Sequence, residues 1–438
     1  MLSRFSTFSP LGLAYVAAAT PSNWEVKILD ENIGEFEFEE ADLVGITAFT
    51  SNINRAYKIA RIYRERKIKV VIGGIHASMM SDEALLFADS VVVGEAEDIW
   101  PKVIADFEHN RLSGLYVGPR VDLNQLKLVP RRDLLDPGYF WHSVQSSRGC
   151  PFNCHFCSVS RYLGSEFRQR DVHHVLGELA QVKGKYLAFV DDNLIGYSSK
   201  SKIRAGHLFK GMIEQGLGQK WWMQTSINVA GDENLIQLAA QAGCLFAFIG
   251  FETISTDSLK DMKKGVNIKL GVENYKKVVD VFHKYGIAVY GAFIIGSDYE
   301  SGAYYRRLAR FLVHSGIDII QLTMLTPLPG TELMETLQKE DRIIYHDYPQ
   351  DWDKYRFSYM VHRPHGFQPE AIYTGSNYIK KRIFSFPAFQ YRLTKSFFNL
   401  RNNTNFYASY KFNKALKKGW KNSHYYHDYP SDLNAVFR

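Results

Sequence analysis

Cysteine is scarce in this sequence, with four in 438 residues, and three of them (Cys150, Cys154 and Cys157) fall within eight positions. A disulfide framework spreads its cysteines along a short chain, so that class of scaffold is excluded, and the clustering points to a metal in a reducing compartment. No apolar run approaches the roughly 18 residues of a membrane span. Repeats and low-complexity tracts are missing as well. A composition of 46% hydrophobic and 23% charged residues argues against wholesale disorder. Acidic residues are nearly missing from Ala371 to Arg438, where 12 Lys and Arg face only Asp428 and Asp432. That tail carries +10 while the whole chain carries +7, which leaves the remainder near −3. It is also dense in aromatic residues. Basic plus aromatic fits a nucleic-acid surface, a membrane-surface helix, or a cap with a charged outside.

The length predicts two or three domains. Over 24–118 the segments WEVKILD, DLVGITAF, IKVVIGG and SVVVGEA read as short buried strands, separated by stretches with helical apolar spacing. That alternation predicts a parallel, doubly wound sheet for 1–118, with small and polar residues at the carboxyl edge where such folds bind ligands. A proline-containing connector is expected over 119–139. A second alternation follows in HSVQSS, KYLAFVDD, WWMQTSIN, LFAFIGFE, IAVYGAFIIG and IDIIQLTML. Six β/α units predict a partial barrel over 140–333, with a mostly helical, basic extension over 334–438. The expected fold class is therefore α/β. The polar strand endings Arg148, Asp191, Asp192, Asn193, Gln224, Ser226, Glu252, Gly296, Gln321 and Thr323 mark the working edge of the barrel.

Cys150, Cys154 and Cys157, spaced x3 and x2, follow the first barrel strand. A structural zinc takes four ligands; His155 is constrained by its neighbours, and Cys244 reads as a core residue. Three cysteines on a four-iron cluster leave one iron without a protein ligand, open to something else. The x3–x2 spacing, with Phe156 before the third cysteine and the partial barrel around it, resembles the radical S-adenosylmethionine superfamily. That resemblance implies a [4Fe–4S] cluster on the three cysteines, with S-adenosylmethionine chelating the open iron. The cluster's electron then cleaves S-adenosylmethionine to a 5′-deoxyadenosyl radical that abstracts hydrogen from a substrate. The cofactor-edge residues of the family fall on Phe156, Asp191, Asp192, Ser226, Glu252 and Gly296. The two aspartates face the methionine amine, Ser226 the ribose or carboxylate, Glu252 the ribose, and the Gly296 segment the adenine. LTPLPGTEL (325–333) reads as a structural turn.

The α/β domain ahead of the barrel is similar to the cobalamin-binding branch of the same superfamily, whose members include C-methyltransferases and the anaerobic Mg-protoporphyrin monomethyl ester cyclase. In that branch the loops at Thr50-Ser51, Gly73-Gly74 and Gly94-Glu95 surround the cobalamin tail. The D-x-H-x-x-G motif of cobalt-ligating relatives is missing, which leaves His76 as the one loop histidine to consider. The family's first strand, which precedes SPLGLAY, is also expected to be missing. The opening MLSRFSTFSPLGLAYVAAATPSNW, with Arg4 and a short apolar run, has features of a signal peptide. It is read here as a buried helix starting near Ser9 and Pro10, because thiolate-bound iron is not normally assembled on an exported chain.

These features set the functional expectations. The leading one is cobalamin-dependent C-methylation of an unactivated carbon by a cytosolic, oxygen-sensitive enzyme that draws electrons from a flavodoxin or ferredoxin. The alternatives are cobalamin-independent radical cyclisation, oxidation or rearrangement, and, from another class, a non-catalytic iron–sulfur or nucleic-acid-binding protein. The substrate expectation is a small molecule of lipid or tetrapyrrole type. The tail, with Tyr378, Lys380, Lys381, Phe384 and Phe386 at helical spacing, is expected to cover the barrel mouth or to meet an anionic or lipidic partner, including a membrane surface.

Overall fold

The computed structural model describes residues 8–436, so Arg4 lies outside the described residues. The first domain holds four parallel strands in the order β1 (Leu43–Thr47), β2 (Lys69–Gly73), β3 (Ser90–Val93) and β4 (Leu115–Val117), in register through Val44–Val70, Ile72–Val91 and Val92–Tyr116. Side chains alternate across this sheet. Val70 and Ile72 pack with Ile53, Tyr57 and Ala60 on one face, while Val71 and Val92 pack with Trp100, Val103 and Ile104 on the other. Burial on both faces is why the central strands β2 and β3 read as unbroken apolar runs. The apolar opening is indeed a helix, Leu11–Ala19, whose Ala14 and Tyr15 are buried.

WEVKILD forms no strand, contrary to its β-branched pattern. A strand needs a hydrogen-bonded neighbour, and among the described residues none lies on the free side of β1. The segment is held instead by side chains, Trp24 donating to Glu108 and Lys27 pairing with Glu39.

The second domain holds β5 (His142–Val144), a small antiparallel pair of β6 (Ser147–Arg148) and β7 (Arg168–Gln169), then β8 (Tyr186–Phe189), β9 (Lys220–Thr225), β10 (Cys244–Glu252), β11 (Ala288–Ile295) and β12 (Ile319–Met324). Apart from the antiparallel pair, these form one parallel six-stranded sheet in the order β5-β8-β9-β10-β11-β12. Leu187, Phe189, Trp221, Met223, Ala247 and Ile249 face the surrounding helices. The opposite face, lined by Trp141, Trp222, Phe246, Phe248 and Tyr290, forms a separate aromatic layer inside the partial barrel. Several barrel helices open on a side-chain cap, including Asp171, Ser198, Asp232, Ser255 and Ser301, which fixes where each chain segment turns back.

The extension joins both domains. Trp352 is fully buried against the first domain, its Nε1 donating to Glu83 at 2.9 Å. Contrary to the expectation from spacing, the tail does not roof the barrel mouth. The helix carrying Tyr378, Lys380 and Lys381 (Pro369–Ile383) runs along the outer barrel helix Gly302–His314. The helix Asn403–Lys421 crosses the amino-terminal ends of the strands. There Asn405 Nδ2 donates to the carbonyls of Cys244 and Gly286, and Asn413 Nδ2 to that of Asp318. Phe412 closes the aromatic layer from below, against Trp141, Phe246 and Tyr290. Apolar residues on that helix therefore fill the barrel base, a destination that spacing alone does not reveal.

Candidate active site

The cysteine loop leaves β6 and is pinned by backbone bonds on both sides. His155 N donates to Met262 O, and His155 O accepts from Leu333 N at 3.0 Å. LTPLPGTEL is thus a structural turn, with Thr331 capping the next helix through Met334 N. Burial pushes the thiols of Cys150 and Cys154 up, and that of Cys157 to about 12. Among the described residues no three Cys, His, Asp or Glu side chains converge as on a single ion. A cubane, which gives each thiolate its own iron, asks for separated sulfurs.

The strand ends around this loop divide into committed and uncommitted groups. Asp191, expected to face the methionine amine, is fully buried, and its carboxylate accepts from Ser146 N at 3.0 Å, Ser146 Oγ at 2.8 Å and Ser147 Oγ at 2.5 Å. It braces the start of the cysteine loop and has little capacity left for a ligand. Asp192 differs: its Oδ2 is buried without a partner, and burial, with Asp191 alongside, pushes its pKa up to about 6. Thr225 Oγ1 and Asn228 Oδ1 are likewise buried and unpartnered near the end of β9, and Ser226 Oγ accepts from Asn193 Nδ2 at 3.1 Å. Orphaned polar atoms are costly unless something else satisfies them. Together with the three thiols they suit a polar, amine-bearing cofactor, so the residues present fit the cluster and S-adenosylmethionine.

Glu252 ends β10 at a register shift, with a left-handed backbone (φ 62°). Its Oε1 accepts from Lys264 Nζ at 2.6 Å, and both side chains are nearly buried. Burial works against the charge on Lys264, but Glu252 and the thiolates of Cys154 and Cys157 outweigh it and hold its pKa above the ordinary lysine value. Sequence reading missed Lys264; only its place shortly after GFET marks it. Phe156 is partly buried against a core that first-domain residues share with Met262, Leu325 and Leu333.

Gly296 (φ 104°) ends β11, and a Cβ there would lie 3.0 Å from Met360 Sδ. Its N–H donates to Glu300 Oε1 at 2.9 Å, as does that of Ser297 at 3.2 Å, while Tyr305 Oη donates to Oε2 at 2.5 Å. Glu300, four residues beyond Gly296, is a second residue that sequence reading passed over. Burial pushes its pKa up to about 7. The folded protein therefore holds a proton that the unfolded chain releases at ordinary carboxylate pH. This group's contribution is present at low pH and is lost as pH rises through about 7. Glu300→Gln, which keeps the shape, should flatten the fall in Tm between pH 5 and 8, read by thermal melts across that range.

At the edge of the first sheet, Gly74 takes φ 91° with a would-be Cβ only 2.4 Å from Thr47 Oγ1, so glycine is required there. Ser78 Oγ ties the two loops together, donating to Gly74 O and accepting from Gly94 N at 2.9 Å. Gly73, Gly74, Gly94 and Ser51 are half-buried small residues along this edge, a lining that suits the tail of cobalamin. Two other expected contacts are already engaged. Thr50 Oγ1 bonds His76 Nδ1 at 3.1 Å, and Glu95 pairs with Arg168 and Arg148 while accepting from Val121 N. His76 is fully buried between Thr50 and Glu83, its ring edge on Trp352, and has no nitrogen to spare for cobalt. This edge lies directly against the cysteine loop. Tyr162 Oη, five residues past Cys157, donates to Gly94 O at 3.2 Å, and Arg148 pairs with Glu95 and Glu97.

Residues 1–104 match the family described as the B12 binding domain, and residues 144–312 match the Radical SAM superfamily. The chain is 30% identical over 403 residues to the bacteriochlorophyllide d C-12(1)-methyltransferase of Chlorobaculum tepidum, covering 87% of this chain and 83% of that protein. It is 26% identical to the C-8(2)-methyltransferase of the same organism, over 93% and 91% of the two chains. Among solved structures, the radical S-adenosylmethionine methyltransferase TsrM from Kitasatospora setae, with cobalamin and [4Fe–4S] cluster bound, matches with a TM-score of 0.65 at 17% identity and 76% coverage of each chain. That last likeness concerns the fold.

Proposed function

This chain belongs to the radical S-adenosylmethionine superfamily, in the branch that carries a B12 binding domain, and on that premise we propose that it methylates an unactivated carbon of a tetrapyrrole-type substrate. When bound, the [4Fe–4S] cluster supplies the electron that cleaves S-adenosylmethionine, and cobalamin supplies the methyl relay. Cys150, Cys154 and Cys157 hold the first. Asp192, Asn228, Glu252 and the Gly296 loop would orient S-adenosylmethionine, and Gly73, Gly74, Gly94 and Ser51 would border the second.

The observation that carries this reading is the abutment of the two domains, in which the ligand edge of the first sheet meets the exit of the cysteine loop through Tyr162 and Gly94. Methyl transfer needs both cofactors to serve one substrate, and the contact between these two edges supports that reading. The substrate class rests on the bacteriochlorophyllide methyltransferases that align along most of the chain. A flavodoxin- or ferredoxin-type reductant is proposed as the electron source.

The test is anaerobic reconstitution with iron, sulfide and hydroxocobalamin, followed by cobalt analysis after desalting and by a 5′-deoxyadenosine assay with bacteriochlorophyllide d and methyl-labelled S-adenosylmethionine. The expected result is about one cobalt per chain and label in the pigment. Deoxyadenosine without cobalt or label would replace methylation with a cyclisation or oxidation.

A further inference from the structure

The tail forms an outward surface of a kind the catalytic reading does not use. From Ala371 to His427 the chain has no Asp or Glu, yet it holds eleven Lys and Arg. In the helices Phe386–Leu400 and Asn403–Lys421 several polar residues turn inward: Arg392, Ser396, Asn405 and Asn413 are buried and bonded to the barrel base, and the buried Ser409 donates to Asn405 O within its own helix. Several aromatic residues turn outward, Phe386 being 79% exposed, Phe398 68% and Tyr407 57%, while Phe406 and Phe412 face the barrel base. Along the outer face of the second helix Tyr407, Lys411, Lys414 and Lys418 recur at intervals of three and four residues, all exposed.

We propose that this outer face docks on an anionic lipid bilayer, with Phe386 and Phe398 entering the headgroup region and Lys411, Lys414 and Lys418 meeting lipid phosphates. Exposed phenylalanine beside lysine on a helix lying flat is the chemistry of interfacial attachment. A single-stranded nucleic acid would instead need stacking rings set within a basic groove, and these rings are exposed on the outer sides of helices. Because the second helix crosses the amino-terminal ends of the strands while the cysteine loop lies at the carboxyl ends, docking leaves the barrel mouth free. The surface thus acts as an anchor, independent of the methylation reading.

Sedimentation of the reconstituted full chain with vesicles of phosphatidylcholine, with or without about 30% phosphatidylglycerol, tests this. Binding is expected to the anionic vesicles alone and to be released by salt. Lys411→Glu/Lys414→Glu/Lys418→Glu should weaken it by about a hundredfold. Phe386→Ser/Phe398→Ser should weaken it by about tenfold or more. Both variants should retain the parent's Tm and its vesicle-free yield of 5′-deoxyadenosine. Equal sedimentation with neutral and anionic vesicles, undiminished binding of either variant, or tighter binding to single-stranded DNA than to anionic vesicles would each overturn the proposal. Loss of deoxyadenosine in the parent protein would count against the catalytic reading and leave the vesicle result intact.

Discussion

Replacing Cys154 with alanine is expected to lower the iron content of the reconstituted protein from about four per chain to near background and to abolish 5′-deoxyadenosine formation. Cys150→Ala and Cys157→Ala should do the same. The cubane has only three protein thiolates to hold it, and two cannot fix its position against exchange with solvent. Outer partners of a metal site already cost about 10- to 100-fold when removed, so a direct ligand should cost more than about 100-fold. Cys244→Ala is the control. Cys244 is buried at the start of β10, its thiol pushed up by burial alone apart from a contact to Phe246 O. Its loss should reduce stability slightly and leave iron and activity in place. Iron quantification and the visible spectrum separate the two groups of variants. Retention of a full cluster in any of the first three would remove that cysteine from the ligand set.

Lys264→Met should be the most damaging substitution outside the cysteines. Its ammonium is the partner of Glu252, and Cys154 and Cys157 also favour its charge. Removing one member of a buried ion pair leaves the other charge without compensation, at a cost of about 3–5 kcal/mol. The apoprotein should therefore melt at a lower temperature and load iron poorly. Adding Glu252→Gln should recover much of the lost stability, because the double variant no longer buries a lone carboxylate. It should not recover deoxyadenosine formation, because Glu252 is also placed to orient S-adenosylmethionine. A double-mutant cycle in Tm, run beside the activity assay, measures the coupling directly. Independent, additive losses would mean that the pair does not act as a unit.

Much of the barrel was legible because period and punctuation agree. Each barrel strand is a short apolar run, and each following helix opens on Asp, Ser or Thr, so local propensity and tertiary placement point the same way. The cysteine spacing is equally local. WEVKILD shows the limit: its composition suits a strand, but a strand exists only where another backbone pairs with it. Asp191 and Asp192 show it at the site. They are chemically identical neighbours, yet one is consumed by two serines and the other is left with a free oxygen, a distinction made by residues some 45 positions away. His76 and Glu95 likewise became structural because partners from distant segments reached them first.

The sequence by itself determined the cofactor chemistry and the order of the two α/β units, since three clustered thiolates and alternating strands and helices are properties of short segments. The tertiary structure alone decided which polar side chains are already engaged, that Lys264 pairs with Glu252 and Glu300 braces the Gly296 loop, and that the basic tail packs across the barrel base. The physical reason is that hydrogen-bond capacity is finite. Whether a donor or acceptor is available depends on every segment packed around it, and no local pattern records that.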